Sequence, residues 1–266
     1  MKKMLFCAAA LATIGGSAFA ADMPMKARPI APPPAFSWTG FYIGGVVGDA
    51  REKVTNTYAA PGLPDGFLAA DQAAIDAFSS NNFSSSRVTG GAEAGYNIQF
   101  GGLVVGAEFD IDYLGFSNTL TTAFGTPLAG PVTSTTQSST NWMFTARGRL
   151  GWAVFERLLI YGTGGVAAVH STLTETNVYS PVFVASGTDF SSISAPYVGW
   201  VAGGGLEFAI TDHWSIKGEY LHVGLPSKTA GSGTASPFFG DPNLVSYSHT
   251  VTNEIDIGRF GINYKF

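Results

Sequence analysis

Residues 87–113 read RVTGGAEAGYNIQFGGLVVGAEFDIDY, and this stretch decides the fold. Apolar or small residues alternate with polar or charged ones as far as Gln99, a short turn follows at 100–102, and the alternation resumes up to Tyr113. A period of two is typical of a strand with two different faces. The stretch therefore predicts a long β-hairpin with one wholly apolar face.

The same alternation recurs along the rest of the chain, and with the hairpin it predicts eight strands of about ten residues or more. Segment 158–169 is apolar or small on both faces, so its orientation stays open. The predicted strands outside the hairpin are 38–49, 142–152, 158–169, 198–210, 214–223 and a last strand that ends at Phe266.

The connections between these strands are alternately short and long. Tight turns are expected near 99–102, 153–157 and 211–213. Short turns at one end and long loops at the other are typical of outer-membrane barrels, in which the turns are periplasmic and the loops extracellular. The long connections are rich in Ser, Thr, Asn, Gly and Pro and lie at about 50–86, 114–140, 171–195 and 224–250.

The composition excludes several classes of protein. Of the 266 residues only 12% are charged, against about 25% in an ordinary soluble domain, while 45% are hydrophobic. This hydrophobic content argues against a disordered chain. The formal net charge of −5 offers no basic surface to hold nucleic acid. A barrel whose outer face meets lipid would explain the low charge.

We interpret the chain as all-β, an eight-stranded antiparallel up-and-down transmembrane β-barrel with both termini in the periplasm. The alternative is a soluble up-and-down barrel such as a lipocalin, which would need charged residues over its whole exterior. Aromatic residues at both ends of the strands also favour the membrane barrel, because they match the two bilayer interfaces. They are Trp38, Phe100, Trp152, Phe155, Trp214 and Phe266 near the turns, and Tyr113, Phe116, Trp142 and Tyr197 near the long loops.

The N-terminal residues predict export. Residues 1–20 combine a basic start, a short apolar run and a cleavage signal formed by Ala18, Ala20 and Ala21, which together indicate a cleaved signal peptide. The only cysteine, Cys7, lies within it, so disulfides and thiolate metal sites are excluded from the mature chain. Residues 21–36 are proline-rich and predict a periplasmic spacer before the barrel at 37–266.

The polar faces of the strands place charged residues at similar distances from the tight turns. Since unpaired buried charges are costly, we expect them to pair in one mid-height layer of the lumen, with four acids and four bases. Glu93 and Glu108 lie almost opposite each other, so an arginine is expected between them. The residues of the expected layer are Glu93, Glu108, Arg147, Arg149, Glu207, Lys217, Glu219 and Arg259.

This layer leaves two interpretations open. The side chains could simply fill a narrow lumen, or the ion pairs could exchange partners and form a gate for small ions. Glycines on the same face, such as Gly95 and Gly205, could leave small water-filled cavities or relieve crowding.

Two segments carry a resemblance to a known family. FSWTGFYIGG at 36–45 and GINYKF at 261–266 resemble the small surface-antigen (outer-membrane immunogenic protein) family, which is similar to the OmpA transmembrane domain. The resemblance implies an eight-stranded barrel in a Gram-negative outer membrane, surface antigenicity, porin-like character and no catalytic site. The C-terminal alternation resembles the signal that the barrel-insertion machinery reads, carried by Phe260, Ile262, Tyr264 and Phe266.

The function expected from these observations is a non-enzymatic outer-membrane barrel that contributes to envelope integrity and acts as a surface antigen. It would have at most a narrow porin-like pore, no cofactor and no metal, and would be a monomer in contact with outer-membrane lipid and lipopolysaccharide. The first alternative is a surface protein that binds a ligand or adheres through its loops. In the longest loop, residues 71–78 (DQAAIDAF) could form one or two helical turns.

The second alternative is an enzyme that modifies lipid A, with His222, Glu219 and Ser227 near the outer leaflet. Two further histidines, His170 and His249, lie at the loop ends of strands and could contact haem or a metal. His213 is expected in a solvated periplasmic turn. The tyrosines expected in the region of His170 and His249 are Tyr179 and Tyr247.

Overall fold

The computed structural model describes residues 36–59, 69–126, 130–179, 187–231 and 248–266. The signal peptide with Ala18, Ala20 and Ala21, and the spacer before Phe36, lie outside these ranges. No helix within them is both long and apolar enough to cross a bilayer. The elements are β1 Gly40–Ala59, α1 Ala69–Ser79, β2 Asn81–Phe100, β3 Leu103–Thr126, β4 Gly130–Phe155, β5 Leu158–Tyr179, β6 Gly187–Ala209, β7 Trp214–Gly224, β8 Lys228–Gly231 and β9 Ser248–Lys265.

The strands form one closed ring. Each of β1 to β6 pairs antiparallel with the next strand, β7 pairs with β9, and β9 pairs with β1. The short strand β8 pairs with β9 outside this ring order. The expected eight-stranded up-and-down barrel is therefore confirmed. Closure leaves no strand edge in the bilayer, where an unpaired backbone group would cost several kcal/mol.

The two faces of each strand meet different surroundings. Phe109 and Phe260, on the outer wall, are 61% and 75% exposed, while Glu108 is 1% exposed inside. A soluble barrel would have the opposite arrangement. The orientation of β5, which the sequence left open, is now defined because Leu159 is buried and Ile160 is exposed.

The strands are longer than expected. Much of the segments 114–140 and 171–195, which were expected to be loops, is strand, as in the hairpin in which β3 continues to Thr126 and β4 begins at Gly130. Beyond the band of outward-facing apolar residues, both faces of the strands become polar, so the alternation of apolar and polar residues disappears. The segments are still strands, because threonine favours this conformation. Hydroxyl pairs such as Thr121 with Thr135 (3.3 Å) link these extensions. The helical turns expected at 71–78 lie within α1.

Three of the aromatic residues expected at the bilayer interfaces are inside the barrel. Trp38, Phe116 and Tyr197 are only 3%, 0% and 5% exposed. Phe116 and Tyr197 share the face of the lumen-facing residues of β3 and β6, and Trp38 precedes β1 in the phase of the buried Tyr42. Which face a residue lies on therefore matters more than how near it is to the end of the strand. The aromatic residues that do face outward are Phe100, Tyr113, Trp142, Trp152, Phe155, Trp214 and Phe266.

A charged residue on the lipid-facing wall should destabilise the barrel according to its depth. Phe109→Arg places an arginine within the apolar band, and we expect it to reduce the free energy of unfolding by about 2–4 kcal/mol. Thr119→Arg, on the exposed strand extension, should cost less than about 1 kcal/mol. Denaturant titration in lipid vesicles measures both. Equal losses would contradict the assignment of the outer face.

Candidate functional site in the barrel lumen

All eight residues of the expected layer point into the lumen, and none is more than 5% exposed. They come from opposite walls, since β2, β3 and β4 supply one group and β6, β7 and β9 the other. We call this set, with the two further acids introduced below, the ionic layer.

Arg147 joins the two walls. Its Nη2 contacts Glu108 and lies 2.6 Å from Asp110 Oδ2, both on the neighbouring strand β3. Its Nη1 lies 3.0 Å from Glu219 Oε1 on β7, across the lumen. The guanidinium has five donors in a rigid plane, so one side chain can bind three carboxylates.

Arg259 makes a second bridge. Its Nη1 donates to Asp112 Oδ2 at 2.7 Å, while Nε and Nη2 donate to Glu219 Oε2 at 2.9 and 2.7 Å. Glu219 is thus held by two arginines, and the bridge joins β9 and β7 to β3. Such charge-assisted bonds satisfy groups that are far from water.

A lysine, and not the expected arginine, lies between Glu93 and Glu108. Lys217 Nζ is 2.6 Å from Glu93 Oε2 and 3.2 Å from Glu108 Oε2. Arg147 approaches Glu108 from its own neighbouring strand and extends towards Glu219, so it does not enter the gap. The flexible lysine side chain reaches the gap from β7.

The same lysine explains the one group of acids in the described residues that could hold a metal. Carboxylate oxygens of Glu93, Glu108 and Glu219 lie within 4.8 Å of one another. Lys217 Nζ lies within 3.7 Å of all three residues. Its ammonium group therefore supplies the positive charge that a metal ion would bring.

Arg149 lies in the part of the layer nearer the short turns, and its Nη1 is 3.9 Å from Glu108 Oε2. It contacts Glu207, and its guanidinium lies 3.7 Å from the centre of the Tyr161 ring. Ser215 and Asn263 donate to Glu207 at 2.5 and 3.1 Å. The carboxylate is therefore fully surrounded by donors.

Two tyrosines that the sequence analysis did not identify complete the layer. Tyr42 donates to Glu108 Oε2 at 2.6 Å, and Tyr161 donates to Glu219 Oε1 at 3.1 Å. A Cβ atom at Gly95 would overlap the ring of Tyr42, and one at Gly205 would crowd Tyr161. These glycines therefore relieve crowding and do not leave cavities.

The expected balance of four acids and four bases is wrong. Asp110 and Asp112 are also buried in the lumen, which makes six acids against four bases in the described part of this layer. The expected layer did not include them, although both share the face of Glu108 on β3. That shared phase was the signal that could have identified them.

Beyond the ionic layer, towards the long hairpins, the lumen is filled by an apolar layer. Its side chains come from seven of the eight ring strands and form one buried cluster. They are in phase with the charged residues, as Leu221 is with Glu219 and Ile257 with Arg259. Its members are Ala50, Leu114, Phe116, Met143, Ala167, Val169, Tyr197, Val201, Leu221, Val223, Leu225, Ile255 and Ile257.

The residues proposed for a lipid A-modifying enzyme do not come together. Glu219 belongs to the ionic layer, whereas His222 is on the outer wall, where its Nδ1 lies 2.7 Å from Asp256 Oδ1. Ser227 shares a hydrogen bond with Thr252 at 2.7 Å. The physical reason is that 219 and 222 differ by an odd number along a strand, which puts them on opposite faces.

The remaining candidate residues are dispersed. His170 is exposed on β5, and His249 belongs to β9, which is not adjacent to β5. Tyr179 ends β5, and Tyr247 lies outside the described residues, so a haem or metal contact stays a prediction. His213 is exposed in a turn, with Nδ1 2.9 Å from the carbonyl oxygen of Lys265.

The C-terminal residues lie on the outer wall. Three of them are clearly exposed, and their role as an insertion signal stays a prediction. They are Phe260, Ile262 and Phe266, with the partly exposed Tyr264 in the same phase.

Removing one arginine of the ionic layer should be far more costly than removing a surface charge. Arg147→Ala leaves carboxylates buried without their partner, and we expect a loss of about 3–5 kcal/mol in the free energy of unfolding. The control is Lys53→Ala, because Lys53 forms an exposed pair with Glu254 at 3.7 Å and should cost at most about 1 kcal/mol. Urea titration of the refolded barrel measures both losses, and similar values would rule out this role for Arg147.

Comparison with known proteins gives a consistent result. The profile of the family described as "Outer membrane protein beta-barrel domain" matches residues 6–251. The chain is 32% identical to the 31 kDa outer-membrane immunogenic protein of Brucella melitensis, over 99% of this chain and 100% of that protein. It is 25% identical to the 25 kDa outer-membrane immunogenic protein of Brucella abortus, over 100% and 99% of the two chains.

Among solved structures, the outer membrane protein OprG from Pseudomonas aeruginosa is similar with a TM-score of 0.49 and 12% identity, covering 86% of this chain and 96% of that one. The attachment invasion locus protein Ail of Yersinia pestis gives a TM-score of 0.35 at 12% identity, over 84% and 99%. The family match, together with the closed ring of strands, leads to one conclusion: the chain belongs to the outer-membrane β-barrel protein family.

Proposed function

We propose that this protein is a structural, non-enzymatic barrel with a closed lumen, which contributes to envelope integrity and presents surface antigens. The observation that carries the proposal is that side chains span the lumen at two successive heights. The ionic layer bridges opposite walls, as Arg147 does between β3 and β7, and the apolar layer lies beyond it.

The two layers would oppose ion passage for different physical reasons. In the ionic layer every arginine and lysine is already bound to carboxylates. In the apolar layer an ion would have to lose its hydration shell without gaining a partner, as in the hydrophobic constrictions that close channels by dewetting. At the short-turn end, Trp38 packs with Val104 and Leu159 as a further obstruction.

The surface role rests on the strand extensions and on the relatives. Above the apolar band, hairpins such as β3–β4 carry exposed serine and threonine side chains. The relatives are named immunogenic proteins. We infer that these hairpins face the exterior and form the antigenic surface, while the short turns face the periplasm.

This orientation would place both described ends of the chain in the periplasm. They lie at the short-turn end, where Phe266 N–H donates to Phe41 at 3.0 Å and Trp38 N–H donates to Gln99 at 2.7 Å. The barrel would be inserted as a monomer by the barrel-insertion machinery. A ligand-binding or adhesive role through the hairpin tips remains the alternative function.

Conductance distinguishes a closed lumen from a gate made of ion pairs. The double variant Arg147→Ala plus Arg149→Ala opens the ionic layer but leaves the apolar layer intact. We therefore expect neither the wild type nor the double variant to give single-channel steps in planar bilayers. Steps that appear only in the double variant would support the gate and contradict the proposal.

A lipid-modifying activity is tested separately. Cells that overproduce the wild type and cells that overproduce His222→Ala should have identical lipid A mass spectra, since His222 and Tyr220 both bind Asp256 while Ser227 shares its hydrogen bond with Thr252. A mass change that requires His222 would show an enzyme.

A further inference from the structure

The wall of the barrel changes its construction between β6 and β9, at the outer end of β7. The register of β6 with β7 ends at the pair Trp200 and Gly224, where β7 stops. β6 itself extends outward as far as Gly187, and β8 pairs with β9 but not with β6. Within the described ranges, no strand covers this edge of β6 beyond Trp200.

A groove opens on the outer wall at this point, with a volume of about 360 Å³. Val198, Trp200 and Pro226 form its exposed apolar lining, and Thr252 and Glu254 also line it. A side chain at Gly224 would overlap the indole of Trp200, so the glycine lets Trp200 lie flat against β7. The groove thus offers apolar side chains against which an acyl chain could pack.

The rim of the groove is polar. His222 Nδ1 lies 2.7 Å from Asp256 Oδ1, and Tyr220 donates to the same oxygen at 2.6 Å. The ring of His222 lies 5.2 Å from that of Trp200. These contacts fix a polar cluster on the lipid-facing side of the wall.

The rim continues onto β1, where two cations face outward. Arg51 is the register partner of Asp256, and Lys53 is the partner of Glu254, to which it is paired at 3.7 Å. In the described part of the chain Arg51 makes no ion pair within 4 Å, although it attracts Asp256, which also binds His222 and Tyr220. Arg51 therefore presents a guanidinium that an anion can bind.

The position of this rim relates it to the bilayer. On β9 the outward residues change from Phe260 to Asp256, and on β1 they change from Val47 to Asp49 and Arg51. Such a change from apolar to charged marks the outer interface, where lipid phosphates lie. The groove can therefore pack against the acyl chain of a lipid molecule, while the guanidinium of Arg51 can bind its phosphate.

We propose that this groove is a docking site for a phosphate-bearing lipid of the outer leaflet. One acyl chain packs against Trp200, and the phosphate binds Arg51. Arg51 on β1 and Trp200 on β6 lie three strand spacings apart, about 15 Å. A lipid A headgroup with several acyl chains covers this span.

The experiment is native mass spectrometry of the purified, refolded barrel titrated with lipid A, and with phosphatidylcholine as the zwitterionic comparison. We expect one lipid A molecule to be retained in preference to phosphatidylcholine. Arg51→Gln and Trp200→Ala should each weaken retention about tenfold, the usual effect of losing one charge-assisted contact or a large apolar contact.

Two variants are matched controls. Trp142→Ala removes another exposed tryptophan, 46% exposed against 54% for Trp200, from a different part of the wall. Arg157→Gln removes an arginine at the short-turn end, paired with Asp212. Neither should change retention, and thermal melting shows whether every variant is folded.

Several outcomes would overturn the site. They are equal retention of the two lipids, equal losses in the controls, an effect of Arg51→Gln without one of Trp200→Ala, or a dimer that excludes lipid from the groove. The result is independent of the conductance experiment, because the groove is on the outer wall. The lumen can be closed whether or not this groove binds a lipid.

Discussion

The contact of Arg147 with Glu219 across the lumen is the interaction on which the interior depends. It joins β4 to β7, and through Glu108 and Asp110 it fixes β3 to the same guanidinium. Buried charges are tolerated only when they are paired and hydrogen-bonded, so each member of the ionic layer constrains the position of the others. The outer wall cannot supply this constraint, since lipid is as apolar as the side chains that face it.

The narrow ring of eight strands gives the second constraint. Its interior is just wide enough for side chains to fill it, and the sequence fills it with charged residues first and apolar residues above. Close packing requires glycine where a tyrosine must enter, as at Gly95 beside Tyr42. A lumen filled in this way explains how a membrane protein with so few charged residues can bury many of them.

Alternation predicted the number of strands, their pairing and the outer face, because lipid imposes one chemistry on every second residue. It did not predict the strand extensions, where both faces are polar. It also did not predict the burial of Phe116, which lies near the end of the apolar part of β3 but on the face that points into the lumen. The ionic layer was predicted apart from Asp110 and Asp112, since strand tilt brings residues at different distances from the turn to one arginine. Lys217 lies between Glu93 and Glu108 because its long side chain extends across the lumen from β7. The spacing of residues along the sequence does not predict such a contact.

The central claim is that the lumen is closed, and thiol accessibility tests it most directly. Met143 is fully buried in the apolar layer, and Thr119 is exposed on the outer extension of β3. In a chain whose Cys7 is replaced by serine, a charged thiol reagent should label Met143→Cys about a hundredfold more slowly than Thr119→Cys, because labelling would require local opening. Labelling of Met143→Cys within a few-fold of the exposed site would contradict a closed lumen.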